Sequence, residues 1–169
     1  MPTEISGSTG VNKIQDGTVV AGDLASSVAL GKVLQVVSGE TTTQMSTTSS
    51  SYVDTNLTVN ITPTSTSSKI LVTVDGACQV YDNGIDPRAF AQILRASTSF
   101  VASRYGLYIA GAGSDTNWYG THSMSILDSP ATTSQLTYKV QVKLYGGGNT
   151  TIWQPDSMRS IITVMEIAG

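Results

Sequence analysis

The amino-acid sequence predicts an all-β protein, an antiparallel β-sandwich of jelly-roll type with an extended N-terminal arm. Three observations predict this fold. Apolar and polar residues alternate along several short segments, turn-forming residues separate those segments, and no amphipathic helix lies between them. Short strands at such spacing, without helices, are typical of sandwiches and jelly rolls.

The composition agrees with a β-rich structural protein. Serine and threonine account for 45 of the 169 residues, whereas only 12% of the residues are charged, about half of the ~25% found in ordinary globular domains. Threonine favours strands, and serine favours turns. The net charge of −3 and the scattered lysines and arginines argue against binding to nucleic acid or to an anionic membrane.

Residues 1–32 differ from the rest, and we expect them to form the arm, with the sandwich domain at residues 33–169. In the arm, apolar residues occur one or two at a time between glycines, so the segment cannot bury itself. It is either disordered or lies along another protein. The isolated isoleucines and valines favour the second interpretation, because a flexible linker is poorer in them. The candidate contact residues of the arm are Ile5, Val11, Ile14, Val19, Val20 and Leu24.

Signals for export or membrane insertion are not expected. The opening stretch "MPTEISGSTG" has no basic region followed by an apolar run, which a signal peptide requires. No stretch of the sequence approaches the roughly 18 apolar residues that span a bilayer.

From residue 33 onward, strand patterns follow one another. In "YVDTNLTVNIT" and "KILVTV" the apolar residues share one parity, and "PTSTSS" between them is a turn. The clearest alternation is "LTYKVQVKL" (136–144), whose Leu, Tyr and Val residues all share one parity. The predicted strands in order are KVLQVVS, YVDTNLTVNIT, KILVTVDGACQVY, RAFAQILR, SFVASR, GLYIAGAG, NWYGTHSMSIL, QLTYKVQVKLY, TIWQ and SIITVMEI.

Two of these strands are apolar on both faces, namely "AFAQILR" and "SIITVMEI". A sandwich covers each sheet on one side only, so a strand that is apolar on both sides is expected either to be covered twice or to face another subunit. We therefore expect these strands to form a subunit interface. The candidate interface residues are Phe90, Ile93, Leu94, Ile161, Ile162, Val164, Met165 and Ile167.

Residues that could perform chemistry are few. The single histidine, His122, shares its parity with apolar residues, and the single cysteine, Cys78, is expected to be a small buried core residue. One histidine and one cysteine cannot make an ordinary zinc site. The glycine run "YGGGNTT" lacks the lysine of a phosphate-binding loop. We therefore expect no enzyme activity, no metal and no cofactor.

Aromatic residues in or beside predicted loops suggest a binding surface. Exposed aromatics can stack on sugar rings or anchor a partner, but they can equally plug the ends of a sandwich or fill a subunit interface. The candidate exposed aromatics are Tyr105, Tyr108, Trp118, Tyr119 and Trp153.

Several segments together resemble a known class of protein. "ITPTSTSSKILVTV", "LDSPATTSQLTYKVQ" and the terminal "SIITVMEIAG" resemble a β-sandwich module of tailed-phage virion proteins, frequent in cyanophages, which occurs in capsid decoration (cement) proteins and at the tips of tail fibres and tailspikes. The lead-in "ISGSTGVNKIQDGTVVAGDL" is similar to the segments that precede such modules in fibres. The resemblance implies a homotrimer located in the virion, with no catalytic residues.

Two functions are compatible with the resemblance. As a capsid decoration protein, the trimer would bind the major capsid protein from outside, and the arm would act as a clamp. As the receptor-binding tip of a tail fibre or tailspike, it would recognise a glycan on the host surface. The first interpretation is favoured, because residues 1–32 supply neither the shaft nor the attachment domain of a free-standing fibre and the sequence begins with Met1.

Overall fold

The structure, a computed structural model, describes residues 33–82, 88–100, 116–145 and 150–169. All of them belong to the compact unit Val33–Gly169, and the arm lies outside the described residues. The described ranges form ten β-strands and one 3-10 turn. The strands are β1 (Val33–Thr41), β2 (Met45–Thr47), β3 (Val53–Ile61), β4 (Lys69–Asp82), β5 (Arg88–Arg95), β6 (Thr98–Ser99), β7 (Thr116–Asp128), β8 (Leu136–Tyr145), β9 (Thr150–Trp153) and β10 (Ser160–Ile167), and the 3-10 turn is Pro155–Ser157.

The strands form two antiparallel sheets packed as a sandwich, which confirms the predicted fold class. Sheet A contains six strands. β1, β10, β4 and β7 lie side by side in that order. Along the second half of β4, β9 takes the place of β10 as the strand paired with β4, and β2 pairs with β9 as β1 does with β10. Sheet B contains four strands in the order β3-β8-β5-β6.

The topology is that of a jelly roll. If β1 with β2, and β9 with β10, are each taken as one interrupted strand, the described strands occupy eight positions. Sheet A then has the order first, last, third, sixth, and sheet B the order second, seventh, fourth, fifth. Two sheets of four strands that exchange the chain in this way are the jelly-roll arrangement.

Alternation builds the core as predicted. In β8 every second side chain from Tyr138 to Leu144 is buried, and in β3 the same holds from Thr55 to Ile61. Sheet A faces them with Ile70, Val72 and Val74 of β4. Since successive strand side chains point to opposite faces, the polar residues between them remain on the outside of the sandwich.

Some strand assignments from the sequence need correction. β2 lies within the polar run "GETTTQMSTTSSS", which has no apolar periodicity apart from Met45, and it is nevertheless a strand because it pairs with β9. The described part of the predicted strand "SFVASR" is limited to Ser99, the second residue of β6, and Phe100. The predicted strand "GLYIAGAG" lies outside the described residues.

The interruption between β9 and β10 has left-handed backbone. Gln154, Asp156 and Ser157 have φ values of 54°, 52° and 61°, in a backbone region that residues other than glycine seldom adopt. The backbone N–H of Gln154 donates to the carbonyl of Ala77 at 3.0 Å, and the Ser160 hydroxyl accepts from the N–H of Ala77 at 2.9 Å. Ala77 of β4 is therefore hydrogen-bonded to the residues at both ends of the interruption, Gln154 and Ser160.

A buried ionic network links the two sheets. Asp128, at the end of β7 in sheet A, is 4% exposed. Its carboxylate accepts a hydrogen bond from the Tyr138 hydroxyl of sheet B at 2.5 Å and one from Arg95 at 2.6 Å. Burial and the neighbouring carboxylate raise the pKa of the Tyr138 hydroxyl, so tyrosine remains the donor and the carboxylate the acceptor.

A second buried carboxylate, that of Glu166 in β10, is held by neutral donors. Gln35 donates to it at 2.6 Å, and the backbone N–H and hydroxyl of Thr64 donate at 2.7 and 2.8 Å. Burial raises the pKa of a carboxyl, but these hydrogen bonds outweigh it and lower the pKa of Glu166 to about 2. The ionised Glu166 thereby ties the β3–β4 turn and β1 to the last strand.

Candidate interaction surfaces

The residues predicted to form a subunit interface are divided between the core and the outside of the sandwich. Ile93, Ile162 and Val164 are fully buried between the two sheets of a single chain, so their assignment to the interface is wrong. They are on the inward parity of their strands, where intrachain packing buries them completely. Leu94 has the outward parity of β5 but is only 8% exposed, so it too offers little surface to a partner.

The other predicted interface residues have outward parity. Phe90 is half-buried on the outer face of sheet B, while Ile161, Met165 and Ile167 are half-buried on the outer face of sheet A. β10 is central in sheet A, between β1 and β4. Its two-sided apolar pattern thus has one side in the core and the other on the outer face of the sheet.

Strand register brings apolar side chains together in a row across sheet A. Val36 lies beside Met165, Met165 beside Leu71, and Leu71 beside Leu127, so that the row crosses β1, β10, β4 and β7. Val36 and Leu127, at its two ends, are 56% and 55% exposed. We call this row, together with the neighbouring pair of Val33 and Ile167, the apolar face.

The surroundings of the apolar face change in polarity along the strands. The next row on the same side of the sheet is made of hydroxyls only, from Ser38, Thr163, Thr73 and Ser125. Charges follow in the row beyond, which contains Glu40 and Asp75. The apolar row and the hydroxyl row are therefore uncharged, and charged groups lie on both sides of them: Glu40 and Asp75 beyond the hydroxyls, and Lys69 beside Ile167 at the other end. Contiguous apolar surface of this kind is often used for contact with another molecule.

The predicted exposed aromatics do not form one site. Tyr105 and Tyr108 lie outside the described residues. Trp118 is in β7, paired with Val80, and Tyr119 beside it is 51% exposed on the outer face of sheet A. Trp153 is 1% exposed, so its assignment as an exposed loop aromatic is wrong. It is an inward residue of β9 that packs where Gly76 of β4 has no side chain.

The histidine and the cysteine occupy interior positions. His122 is buried with its ring centroid 6.1 Å from that of Trp153, and burial lowers the pKa of the imidazole. Burial likewise raises the pKa of the Cys78 thiol to about 11, so the thiol stays protonated at neutral pH. Within the described residues no group of three His, Cys, Asp or Glu side chains is placed to hold a metal ion.

The outer face of sheet B is polar, in contrast to sheet A. A chain of side-chain hydrogen bonds crosses its four strands: Ser99 donates to Gln92, Gln92 to Gln141, and Gln141 to Asp54, each at 2.8 Å. Lys139 completes it with an ion pair to Asp54 at 3.0 Å.

An aromatic row lies beside this polar row on sheet B. The ammonium of Lys143 lies 4.6 Å from the ring centroid of Tyr52 and 5.6 Å from that of Phe90, within the range of cation–π attraction. The sequence suggested neither row, because both depend on the register between strands distant along the chain.

A pocket of about 230 Å³ opens on this polar face, where β3 and β8 lose register. Its lining residues are Asp54, Asn56, Leu57, Thr58, Lys139 and Val140.

In the described part of the chain no helix is long and apolar enough to cross a membrane.

Comparison with known proteins gives structural neighbours but no family. The sequence matches no protein-family model and no curated protein. The structure is similar to viral capsid proteins with a β-sandwich fold. The D431N mutant VP2 of infectious bursal disease virus aligns with a TM-score of 0.39 and 13% identity, over 79% of this chain and 36% of that one. T=1 particles derived from the same virus give a TM-score of 0.41 and 11% identity, over 80% and 37%. This chain thus spans little more than a third of the length of those proteins.

Proposed function

We propose that this protein is a structural component of a phage virion: a homotrimeric decoration protein that binds the outer surface of the capsid, stabilises it and performs no catalysis. The resemblance of three sequence segments to tailed-phage virion modules supports the class of protein. The observation that carries the proposal is the apolar face of sheet A, because it gives the sandwich a surface suited to association.

The apolar face is proposed as the contact between subunits. In a closed ring of three copies, a patch on one copy meets a different patch on the next. The apolar row reaches both edge strands of sheet A, with exposed Val36 at one edge and exposed Leu127 at the other. A neighbouring subunit that packs against either edge would therefore contact apolar side chains of the row. An uncharged centre and a charged rim are also the usual anatomy of such interfaces. Apolar area buried there stabilises the assembly by about 25 cal/mol per Å².

The arm is proposed as the part that binds the major capsid protein. Its isolated apolar residues cannot form a core of their own, whereas they can fill separate pockets on a neighbouring surface. Val33, which follows the arm directly in the sequence, belongs to the apolar face. Arm and subunit contact therefore join at adjacent residues, and a trimer would present three arms to the capsid, so that binding gains from multivalency.

The subunit contact is tested by measuring molar mass in solution by light scattering. Wild-type protein should have the mass of three chains. Leu127→Lys and Val36→Lys place a charge in the proposed contact and should give monomers. Thr121→Lys, on the same face of β7 but outside the row, is the matched control and should stay trimeric. If both row variants keep the wild-type mass, the apolar face is not the subunit contact.

Capsid binding is tested separately, with full-length protein added to capsids that lack it. Saturable binding is expected, and replacing Val19 and Val20 together by Asp should abolish it, while Thr18→Asp should not. Binding to host cells that survives the double replacement, with none to capsids, would overturn the decoration proposal in favour of a receptor-binding tip.

A further inference from the structure

We propose that the pocket between β3 and β8 on the outer face of sheet B binds a ring of a neutral sugar through vicinal hydroxyl groups. This inference goes beyond the proposed function and does not depend on it, because the pocket lies on the opposite sheet from the apolar face. It rests on the backbone that opens the pocket, on the polar groups that line it, and on the kind of ligand that those groups can satisfy together.

The pocket exists because β3 contains two more residues than β8 at this point. Asp54 pairs with Gln141 and Thr58 pairs with Lys139, so three residues of β3 lie opposite Val140 alone. The bulge is held in place: the buried Thr55 hydroxyl donates to the carbonyl of Val140 at 3.0 Å. Asn56 at its apex has a φ of 63° and is exposed. Bulges of this kind redirect side chains and often lie beside binding sites.

Hydroxyls anchor the backbone on the other side of the bulge as well. Thr58 donates to the carbonyl of Tyr138 at 3.1 Å, and the N–H of Leu57 donates to the Thr55 hydroxyl at 3.4 Å. Two carbonyls of β8, those of Tyr138 and Val140, thus have side-chain donors from β3 around the bulge. The pocket therefore has fixed walls before any ligand arrives, which lowers the ordering cost of binding.

The polar groups at the mouth of the pocket are a donor and an acceptor held side by side. The Lys139 ammonium and the Asp54 carboxylate are 3.0 Å apart, with 32% and 55% of their side chains exposed. Hydrogen bonds from Gln141 and Lys139 lower the pKa of Asp54, so the carboxylate is ionised at neutral pH. Two hydrogen bonds reach its oxygens from these neighbours, one from Gln141 to Oδ1 and one from Lys139 to Oδ2, and a carboxylate can accept about four.

A pair of vicinal hydroxyls matches this arrangement. One hydroxyl can donate to Asp54 while its neighbour accepts from Lys139, and the ion pair stays intact. A charged ligand would instead have to compete with that ion pair. The amide of Asn56 and the hydroxyl of Thr58 supply further polar contacts at the rim. At about 230 Å³, the pocket is below the ~300–1,000 Å³ of drug-sized sites, which limits it to one ring.

The test is a titration of full-length protein with methyl α-glucoside, methyl α-galactoside and methyl α-mannoside. Binding is monitored through the NMR signals of the Asn56 side-chain amide and the Thr58 backbone amide. At least one glycoside should shift both signals with a Kd of about 1 mM or lower, a free energy of about −4 kcal/mol. Asn56→Gly keeps the left-handed backbone and removes the amide, and Asp54→Asn removes the charge. Each should weaken binding at least tenfold.

The matched control is Asn60→Ala, on the exposed side of the same strand but outside the pocket lining, and it should bind as wild type does. The inference is overturned if no glycoside shifts the two signals, or if Asn56→Gly and Asp54→Asn bind as well as wild type. It is also overturned if glycine, a small zwitterion, shifts the signals and the glycosides do not. Since the readout is local, neither a monomeric protein nor failure to bind capsids would affect the result.

Discussion

The indole ring of Trp153 fills the space in which a side chain at Gly76 would lie. A Cβ built on Gly76 would be 2.1 Å from Cζ3 and 2.5 Å from Cη2 of the indole, and Trp153 is 1% exposed. The largest buried side chain among the described residues is thus accommodated by the absence of a side chain in the adjacent strand. His122, paired with Gly76 in the sheet, borders the same space.

We expect Gly76→Ala to lower the free energy of unfolding by about 1–3 kcal/mol, because overpacking forces a buried ring or the backbone to move. Urea unfolding monitored by tryptophan fluorescence and circular dichroism measures the change. In a Trp153→Leu background the same replacement should be much less destabilising, since the ring is gone. Equal losses in both backgrounds would show that the two sites are not coupled.

Glu166 should make the fold sensitive to acid in a defined window. Its pKa in the folded protein is about 2, below the ordinary 4.5. The unfolded chain therefore takes up the proton first, and the stabilisation is complete above pH 4.5 and is lost as the pH falls towards 2. Thermal unfolding measured across this range should show a falling Tm. The Glu166→Gln variant should be less stable than wild type at neutral pH, because the NH2 group of its amide would face the donors of Gln35 and Thr64 without an acceptor. The Tm of this variant should decline less than that of wild type as the pH falls.

His122 should act in a separate, higher window. Burial lowers the pKa of its imidazole below the ordinary 6.5, so the folded protein disfavours the protonated form. The unfolded chain binds a proton at a higher pH than the folded one, and stability should decrease as the pH falls through 6.5. The urea midpoint of wild type should drop across this window, whereas that of His122→Gln should stay level. An equal drop in both proteins would assign the effect to another group.

The hydrogen bond from Tyr138 to Asp128 should contribute measurably to joining the sheets. Tyr138→Phe leaves the Arg95 ion pair and removes only the hydroxyl. Hydrogen bonds to charged groups stabilise by about 1.5–3 kcal/mol, and we expect a loss in that range by urea unfolding. Tyr119→Phe, at a tyrosine that is 51% exposed, is the control and should change stability by less than about 0.5 kcal/mol.

The sequence was sufficient for the class of fold, because burial of one face imposes a period of two on β3, β4 and β8 that local inspection detects. It was insufficient for the apolar face. Leu71 and Leu127 have mostly polar neighbours on the outer parity of long strands, and only the register of four strands places them in one row. Trp153 was misassigned for a similar reason, since its space is provided by Gly76 on a distant strand.

The bulge in β3 could not be predicted for a more specific reason. Two extra residues preserve the parity of a strand, so the inward residues continue from Val53 through Thr55 and Leu57 to Ile61 without a break in the alternation. A single extra residue would have reversed the pattern and been visible. The pocket beside Asn56 therefore has no signature in the sequence.

The position of β1 determines how the sandwich would respond to tension. β1 follows the arm directly and lies antiparallel along β10, with eight register pairs from Val33 to Thr41. A pull on Val33 along the strand axis would load these pairs in shear, so that they resist together, whereas a pull across the axis would peel them apart one at a time. If the arm is fixed to a capsid that expands under internal pressure, the direction of the force at Val33 decides whether β1 stays paired with β10 or separates from it one pair at a time.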